Sequence, residues 1–282
     1  MSEPVAEFVV RRILVALDAS TQSLAALKTA VTLAAELGAD LEGLFVEDIN
    51  LMRVAMLPVA RRILYPTGTE EPFDSSHMER ELKLLARQAQ ESLATLAERF
   101  GIRWSFRVAR GKVNVEILAA ASESDLLTVG RSGWSLARRM QLGSTAQDAA
   151  INAPKALLLV KRPLAIDRPV MTVFDGSPLS EQVLKAATHL ASAFQSRLAV
   201  LLIADSPQNA RKLERQAARI IKLKAIPVKF RPIYTTDTLY LADAVESEAG
   251  GLVVLGRRYE QVSENEIQNL IRMIGNPVLL VR

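Results

Sequence analysis

Two short apolar runs, Ile13-Leu14-Val15-Ala16-Leu17 and Val170-Met171-Thr172-Val173-Phe174, break off into related polar signatures, Asp18-Ala19-Ser20 and Asp175-Gly176-Ser177. The first run has no polar alternation, the mark of a strand covered on both faces. Its exit, Asp18-Ala19-Ser20-Thr21, suits a helix start, because Ser and Thr oxygens accept the first free backbone N–H groups. Leu24, Leu27, Val31, Ala34 and Ala35 then recur at helical spacing, Gly38 marks the stop, and Leu41 to Val46 reads as a second strand.

Strands continue to alternate with helices. Pro58, Pro66, Gly68 and Pro72 interrupt residues 47–77, and a helix is expected from Met78 to Phe100, with Leu82, Leu85, Ala89, Leu93, Leu96 and Ala97 on one stripe. Strands at Trp104–Val108, Leu126–Val129 and Ala156–Val160 flank helices at Val115–Ser122 and after Ser144. This order predicts a parallel sheet with helices on both faces and right-handed crossovers.

The second half repeats that order. Leu252-Val253-Val254-Leu255-Gly256-Arg257 echoes Leu126 to Arg131, and Asn276 to Arg282 echoes Ala153 to Lys161. Asp18 and Asp175 are 157 residues apart, Gly130 and Gly256 are 126 apart, and Val160 and Val281 are 121 apart. The second copy is therefore shorter before its fourth strand and again, by five residues, just after it. A tandem duplication joined near Lys161–Arg168 accounts for the pattern.

The length of 282 residues fits two domains, and 49% hydrophobic with 23% charged residues excludes disorder. The absence of cysteine excludes disulfides, thiolate catalysis and cysteine-held zinc. The two histidines, His77 and His189, lie far apart in sequence and read as structural. The net charge of +4 divides into +1 up to Arg162 (20 basic, 19 acidic) and +3 beyond it (15 basic, 12 acidic), less than a nucleic-acid-binding chain of this size needs. Met1 to Glu7 lacks the basic and apolar regions of a signal peptide, and no apolar run approaches ~20 residues. A cytoplasmic protein without membrane or nucleic-acid partners is expected.

The most informative stretch is Val129-Gly130-Arg131-Ser132-Gly133, followed nine residues later by Gly143-Ser144-Thr145. Glycines let a backbone approach a ligand closely. A helix opening at Gly-Ser-Thr would present free N–H groups and a partial positive charge, a seat for phosphate. Ser144 and Thr145 add hydroxyls, and Arg131, Arg138 and Arg139 add positive charge. In an open parallel sheet the first and fourth strands end where the winding reverses, which would bring Asp18 beside Gly130. The stretch lacks the Walker lysine.

This Gly-x2-Gly-x9-Gly-Ser spacing resembles the ATP-binding motif of the universal stress protein family, and the resemblance extends to Asp18, Val46, Gly111 and Asp125. It implies two Rossmann-like α/β domains of the adenine nucleotide alpha hydrolase type, residues 1–162 and 163–282, each a five-stranded parallel sheet in the order 3-2-1-4-5 with helices on both faces. It further implies ATP as ligand. Val46 and the Val129 backbone would frame the adenine, and Asp18 would lie near the base and ribose or a phosphate-bound Mg2+. Gly130, Arg131 and Gly133 would line ribose and phosphate, and Gly143, Ser144 and Thr145 would hold the triphosphate. The fifth strands of the two domains would pair across a pseudo-twofold axis, leaving open whether two chains also associate. An unidentified protein partner and at most weak ATP hydrolysis are further expectations, with a slow ATPase or a nucleotide-free interaction scaffold as the alternative readings.

The second copy departs from the motif. Gly256 is followed by Arg257-Arg258-Tyr259-Glu260, and Ser263-Glu264-Asn265-Glu266 replaces Gly-Ser, with acids that would repel phosphate. It reads as structural or regulatory. Other features keep two readings. Asp18 is a ligand contact or a helix cap, and Trp134 a pocket cover or packing residue. The basic stretch Arg211, Lys212, Arg215, Arg219, Lys222, Lys224, Lys229 and Arg231, with Glu214 among them, is a solvated face or a seat for an anionic partner. Leu51 to Leu57 with Arg61 and Arg62 suits a lid or dimer contact better than a membrane.

Overall fold

The computed structural model describes residues 8–57, 61–64, 68–72, 75–131, 143–221 and 226–281. The first unit runs β1 (Arg12–Leu17), α1 (Thr21–Leu37), β2 (Asp40–Asp48), α2 (Ile49–Ala55), β3 (Arg61–Leu64), β4 (Thr69–Pro72), α3 (Ser75–Arg99), β5 (Trp104–Gly111), α4 (Val113–Ala121), β6 (Leu126–Gly130), α5 (Ser144–Asn152) and β7 (Ala156–Val160). The second runs β8 (Val170–Phe174), α6 (Pro178–Ala193), β9 (Leu198–Ile203), α7 (Pro207–Ile221), β10 (Val228–Ile233), α8 (Thr238–Ser247), β11 (Leu252–Gly256), α9 (Glu264–Met273) and β12 (Val278–Val281).

Ten strands form one sheet in the order β10-β9-β8-β11-β12-β7-β6-β1-β2-β5. Each half reads 3-2-1-4-5 from its outer edge, with parallel neighbours throughout. The halves meet at β12 and β7, which pair antiparallel with Leu279 opposite Leu158. The offset of 121 residues that relates Val160 to Val281 also relates Leu158 to Leu279, so the pseudo-twofold axis passes through that pair. Every residue of β7 and β12 is buried, and a strand so apolar on both faces cannot stand as a wet sheet edge.

One core lies under α1, α3, α6 and α7 and contains Leu158 and Leu279; the other lies under α4, α5, α8 and α9 and contains Leu157 and Leu280. Both run unbroken through the two units. The irregular segment 161–169 joins them, and the Leu164 N–H donates to the Thr29 hydroxyl of α1 at 3.1 Å.

Several local expectations shift. Ser20, not Asp18, caps α1: its hydroxyl accepts from the Ser23 N–H, while Asp18 accepts from the Ser20 N–H and shapes the preceding turn. The buried stripe of α1 is Ala26, Leu27, Ala30, Val31, Leu33 and Ala34; Leu24 and Ala35 face solvent. Within 47–77 the chain forms α2, capped by Asp48, and the β3–β4 hairpin, and α3 starts at Ser75, before Met78. Among the described residues the second unit has no counterpart of α2 or the hairpin, and its α7 is shorter than α3, which accounts for the change of offset before the fourth strand. Lys229 and Arg231 share Glu248, the C-cap of α8 and an acid distant in sequence, so one carboxylate offsets part of the charge of two of the eight basic residues. No helix among the described residues is long and apolar enough to cross a membrane.

Truncating Leu158 to Ala empties the seam at the axis and is expected to cost about 2–5 kcal/mol in chemical denaturation. Leu84→Ala, at a side chain that is 67% exposed, should change stability by less than about 0.5 kcal/mol.

Candidate functional site

In the first unit β1 leads to α1 on one face of the sheet, and its neighbour β6 leads to α5 on the other. The chain therefore opens a crevice beyond the carboxyl ends of these two strands, where the winding direction switches. A cleft of about 920 Å³ occupies the place, near the top of the range for small-molecule sites of ~300–1,000 Å³. Asp18, Val46, Val129, Gly130, Gly143, Ser144 and Thr145 all line it. Gly133, Trp134, Arg138 and Arg139 lie outside the described residues.

The turn after β1 is specified in detail. Asp18 accepts the Ser20 N–H at 2.9 Å, and Ala19 adopts φ 58°, a left-handed conformation that costs a non-glycine residue about 1 kcal/mol. The second unit repeats the turn with Gly176 at φ 84°. At Gly130 a Cβ would lie 3.0 Å from the Gln22 backbone carbon, so the missing side chain lets the first turn of α1 pack over the end of β6.

Across the cleft α5 begins. Its N-cap, Gly143, makes no side-chain cap, and no acid stands in the first turn. Ser144 is exposed and Thr145 half-buried there. A helix end whose own N-cap supplies no side-chain bond presents N–H groups and a positive pole that suit an anion.

The sequence did not single out part of the lining. Asp48, Glu81 and Asp148 join Asp18 as carboxylates, and Lys112, N-cap of α4, is the one cation among the described lining residues. Phe45, Leu51, Met78, Leu82 and Leu85 extend the cleft along α3. Met78, Leu82 and Leu85 share one helical face, and helical spacing was the available signal. Behind the rim, Glu47 is buried and accepts from two nitrogens of Arg110 at 2.7 Å, which raises the pKa of that guanidinium and ties β2 to β5. Arg131 is not in the lining: its buried guanidinium points into the second unit and donates to the Ile274 carbonyl at 2.6 Å. This corrects the expectation that Arg131 lends positive charge to the cleft.

The matching crevice of the second unit is filled. Tyr259 stands at the position of Gly133 by the 126-residue offset, and its side chain turns inward. The Gly256 N–H donates to its hydroxyl at 2.9 Å, and the Glu260 N–H donates to Asp175 at 2.8 Å, bridging the ends of β11 and β8. Burial raises the Asp175 pKa, but hydrogen bonds from Ser177, Ser180 and the Glu260 amide outweigh it and hold the carboxyl below its usual range. At α9, Ser263 and Glu266 form a reciprocal capping box that uses the helix N–H groups. The sequence showed the missing glycines; the inward plug of Tyr259 is a tertiary result.

Tyr259→Phe removes the acceptor for a buried N–H and is expected to cost about 1–3 kcal/mol in thermal or chemical unfolding. Burial raises the phenol pKa, so above pH ~10 the unfolded phenol ionises while the folded one keeps its proton. Wild-type stability then falls with pH by a term the variant lacks, and the gap between the two should narrow above that pH.

The sequence profile of the Universal stress protein family matches residues 10–161, more than half of the chain. No curated protein matches it significantly in sequence. Among solved structures, a universal stress protein from Archaeoglobus fulgidus DSM 4304 superposes with TM-score 0.74 at 18% identity, over 98% of this chain and 97% of the other. A functionally unknown protein from Pseudomonas aeruginosa PAO1 superposes with TM-score 0.60 at 14% identity, over 97% and 93%. At these identities the structures establish the shared fold, and together with the matched profile they place the chain in the universal stress protein family.

Proposed function

We propose that the chain is a cytoplasmic stress-response module that binds ATP in its N-terminal unit and uses its C-terminal unit as a structural or partner-binding element. One contrast carries this reading: the crevice of the first unit is open and ends on a helix N-terminus without a side-chain cap, whereas its counterpart is plugged by Tyr259 and capped by Ser263 and Glu266. Val46 and Val129 offer apolar surface to a base, and Asp18 suits a ribose. The N–H groups at Gly143 to Thr145, with two hydroxyls, suit phosphates.

No group of three or more His, Asp or Glu side chains among the described residues is arranged to hold a metal. Mg2+ would arrive chelated by the phosphates, with Asp18 beside it. Four carboxylates against one ammonium in the described lining favour that chelate over the bare polyanion. ATP would act by population shift, favouring a surface around the cleft that an unidentified protein partner distinguishes. Hydrolysis is at most weak in this reading: Asp18 already holds the turn through the Ser20 N–H, and the loop lacks a Walker lysine.

The first test is to assay freshly purified protein for bound nucleotide and titrate it with MgATP by calorimetry; binding is expected, and EDTA should weaken it. Gly143 has φ −61° and ψ 156°, which any residue adopts. Gly143→Asp should add a few tenths of a kcal/mol of stability as a helix cap. It should weaken ATP binding about tenfold or more by setting a carboxylate where phosphate would sit, a loss of about 1.4 kcal/mol. Unchanged affinity in that variant would remove α5 from the site.

A further inference from the structure

Arg131 and Arg257 stand one residue past the glycines that close β6 and β11, and both reach over the seam into the other unit. Arg131 is only 6% exposed and donates to the carbonyl of Ile274, the C-cap of α9. Arg257 donates to the Ile151 carbonyl at 2.7 Å and at 3.3 Å to that of Ala153, the C-cap of α5. A cation placed on the last carbonyls of a helix satisfies them and complements the negative pole. Each unit thus closes a helix of the other with the arginine that follows its own fourth strand.

The backbones of the two arginines differ in what they control. The Arg131 carbonyl accepts the Gly143 N–H at 2.8 Å, and the Arg131 N–H donates to Val160 of β7 at 2.9 Å. One residue therefore closes the base of the segment leading to the α5 N-terminus, fastens it to the seam strand and sends its side chain into the second unit. Arg257 heads a segment already locked by Tyr259 and the Asp175–Glu260 bond.

Resting on the nucleotide reading above, we propose that Arg131 is a positioning residue through which the second unit holds the phosphate-binding turn of the first. Nucleotide affinity in the N-terminal cleft then depends on the Arg131–Ile274 contact. By linkage, nucleotide in that cleft firms the C-terminus of α9 and the adjoining seam. This gives a task to a unit whose own crevice is sealed.

The experiment compares MgATP affinity and thermal stability in the wild type, Arg131→Met and Arg257→Met, with amide hydrogen exchange over residues 270–276 with and without MgATP. Both variants remove a cross-seam arginine and should lose comparable stability. Arg131→Met should also weaken MgATP about tenfold, a usual size for coupling between sites. Arg257→Met should stay within about twofold of wild type, because its contacts lie at the C-terminal end of α5, the opposite end from the N–H groups at Gly143 to Thr145. Nucleotide should slow exchange over 270–276 in the wild type but not in Arg131→Met. Equal affinity losses in the two variants, no loss in Arg131→Met, or unchanged wild-type exchange would each overturn the assignment. If Arg131→Met does not fold, wild-type exchange and Arg131→Lys, which keeps the charge with fewer donors, decide it. A wild-type chain that binds no nucleotide would bring down the ATP reading itself, whereas wild-type binding with matched variants brings down only the role of Arg131.

Discussion

Strands β7 and β12 are buried along their whole length, and their backbone groups need a partner on the side away from β6 and β11. Pairing them with each other meets that need once for both. It also sets the rest of the geometry: a pseudo-twofold axis at Leu158 and Leu279, two cores that cross the seam, and helix ends of one unit within reach of side chains from the other. The cross-seam arginines follow from this pairing, because only the antiparallel join brings the C-termini of α5 and α9 beside the exits of β11 and β6.

The same winding produces two crevices with opposite fates. In both units an Asp-x-Ser turn follows the first strand and a glycine closes the fourth. In the first unit the chain then reaches a helix whose N-cap is glycine, with no side-chain cap, beside a large cleft. In the second a shorter connection carries Tyr259 inward, where its ring joins the core and its hydroxyl takes the glycine N–H. A buried backbone donor must be satisfied, by a ligand or by the protein. The second unit has supplied the partner from its own chain.

Much of this was legible in the residues. Continuous apolar runs announced the buried strands, glycines and Ser/Thr the helix ends, and the spacing from Gly130 to Ser144 the crevice. Residues 47–77 were harder, since their prolines and glycine announce breaks but not the pairing that turns two of the pieces into a hairpin. On α1, Leu24 and Ala35 fit the helical period yet lie at the solvent edge of a stripe in which small alanines (Ala26, Ala30, Ala34) are buried as fully as the larger Leu27 and Val31, and spacing alone does not fix where that edge falls.

By itself the sequence determined the order of elements outside residues 47–77, the repeated order of the two halves, and the loss of the glycine pattern in the second half. All three depend on local spacing, which a linear chain records directly. Tertiary structure decided where Arg131 points, that Glu248 pairs with Lys229 and Arg231, and that Tyr259 seals its crevice. Those outcomes depend on which groups the sheet brings together from more than a hundred residues away in the first case, and in the last on which way a buried ring turns. Chain order sets the cost of bringing such groups together, but only packing decides whether the contact forms.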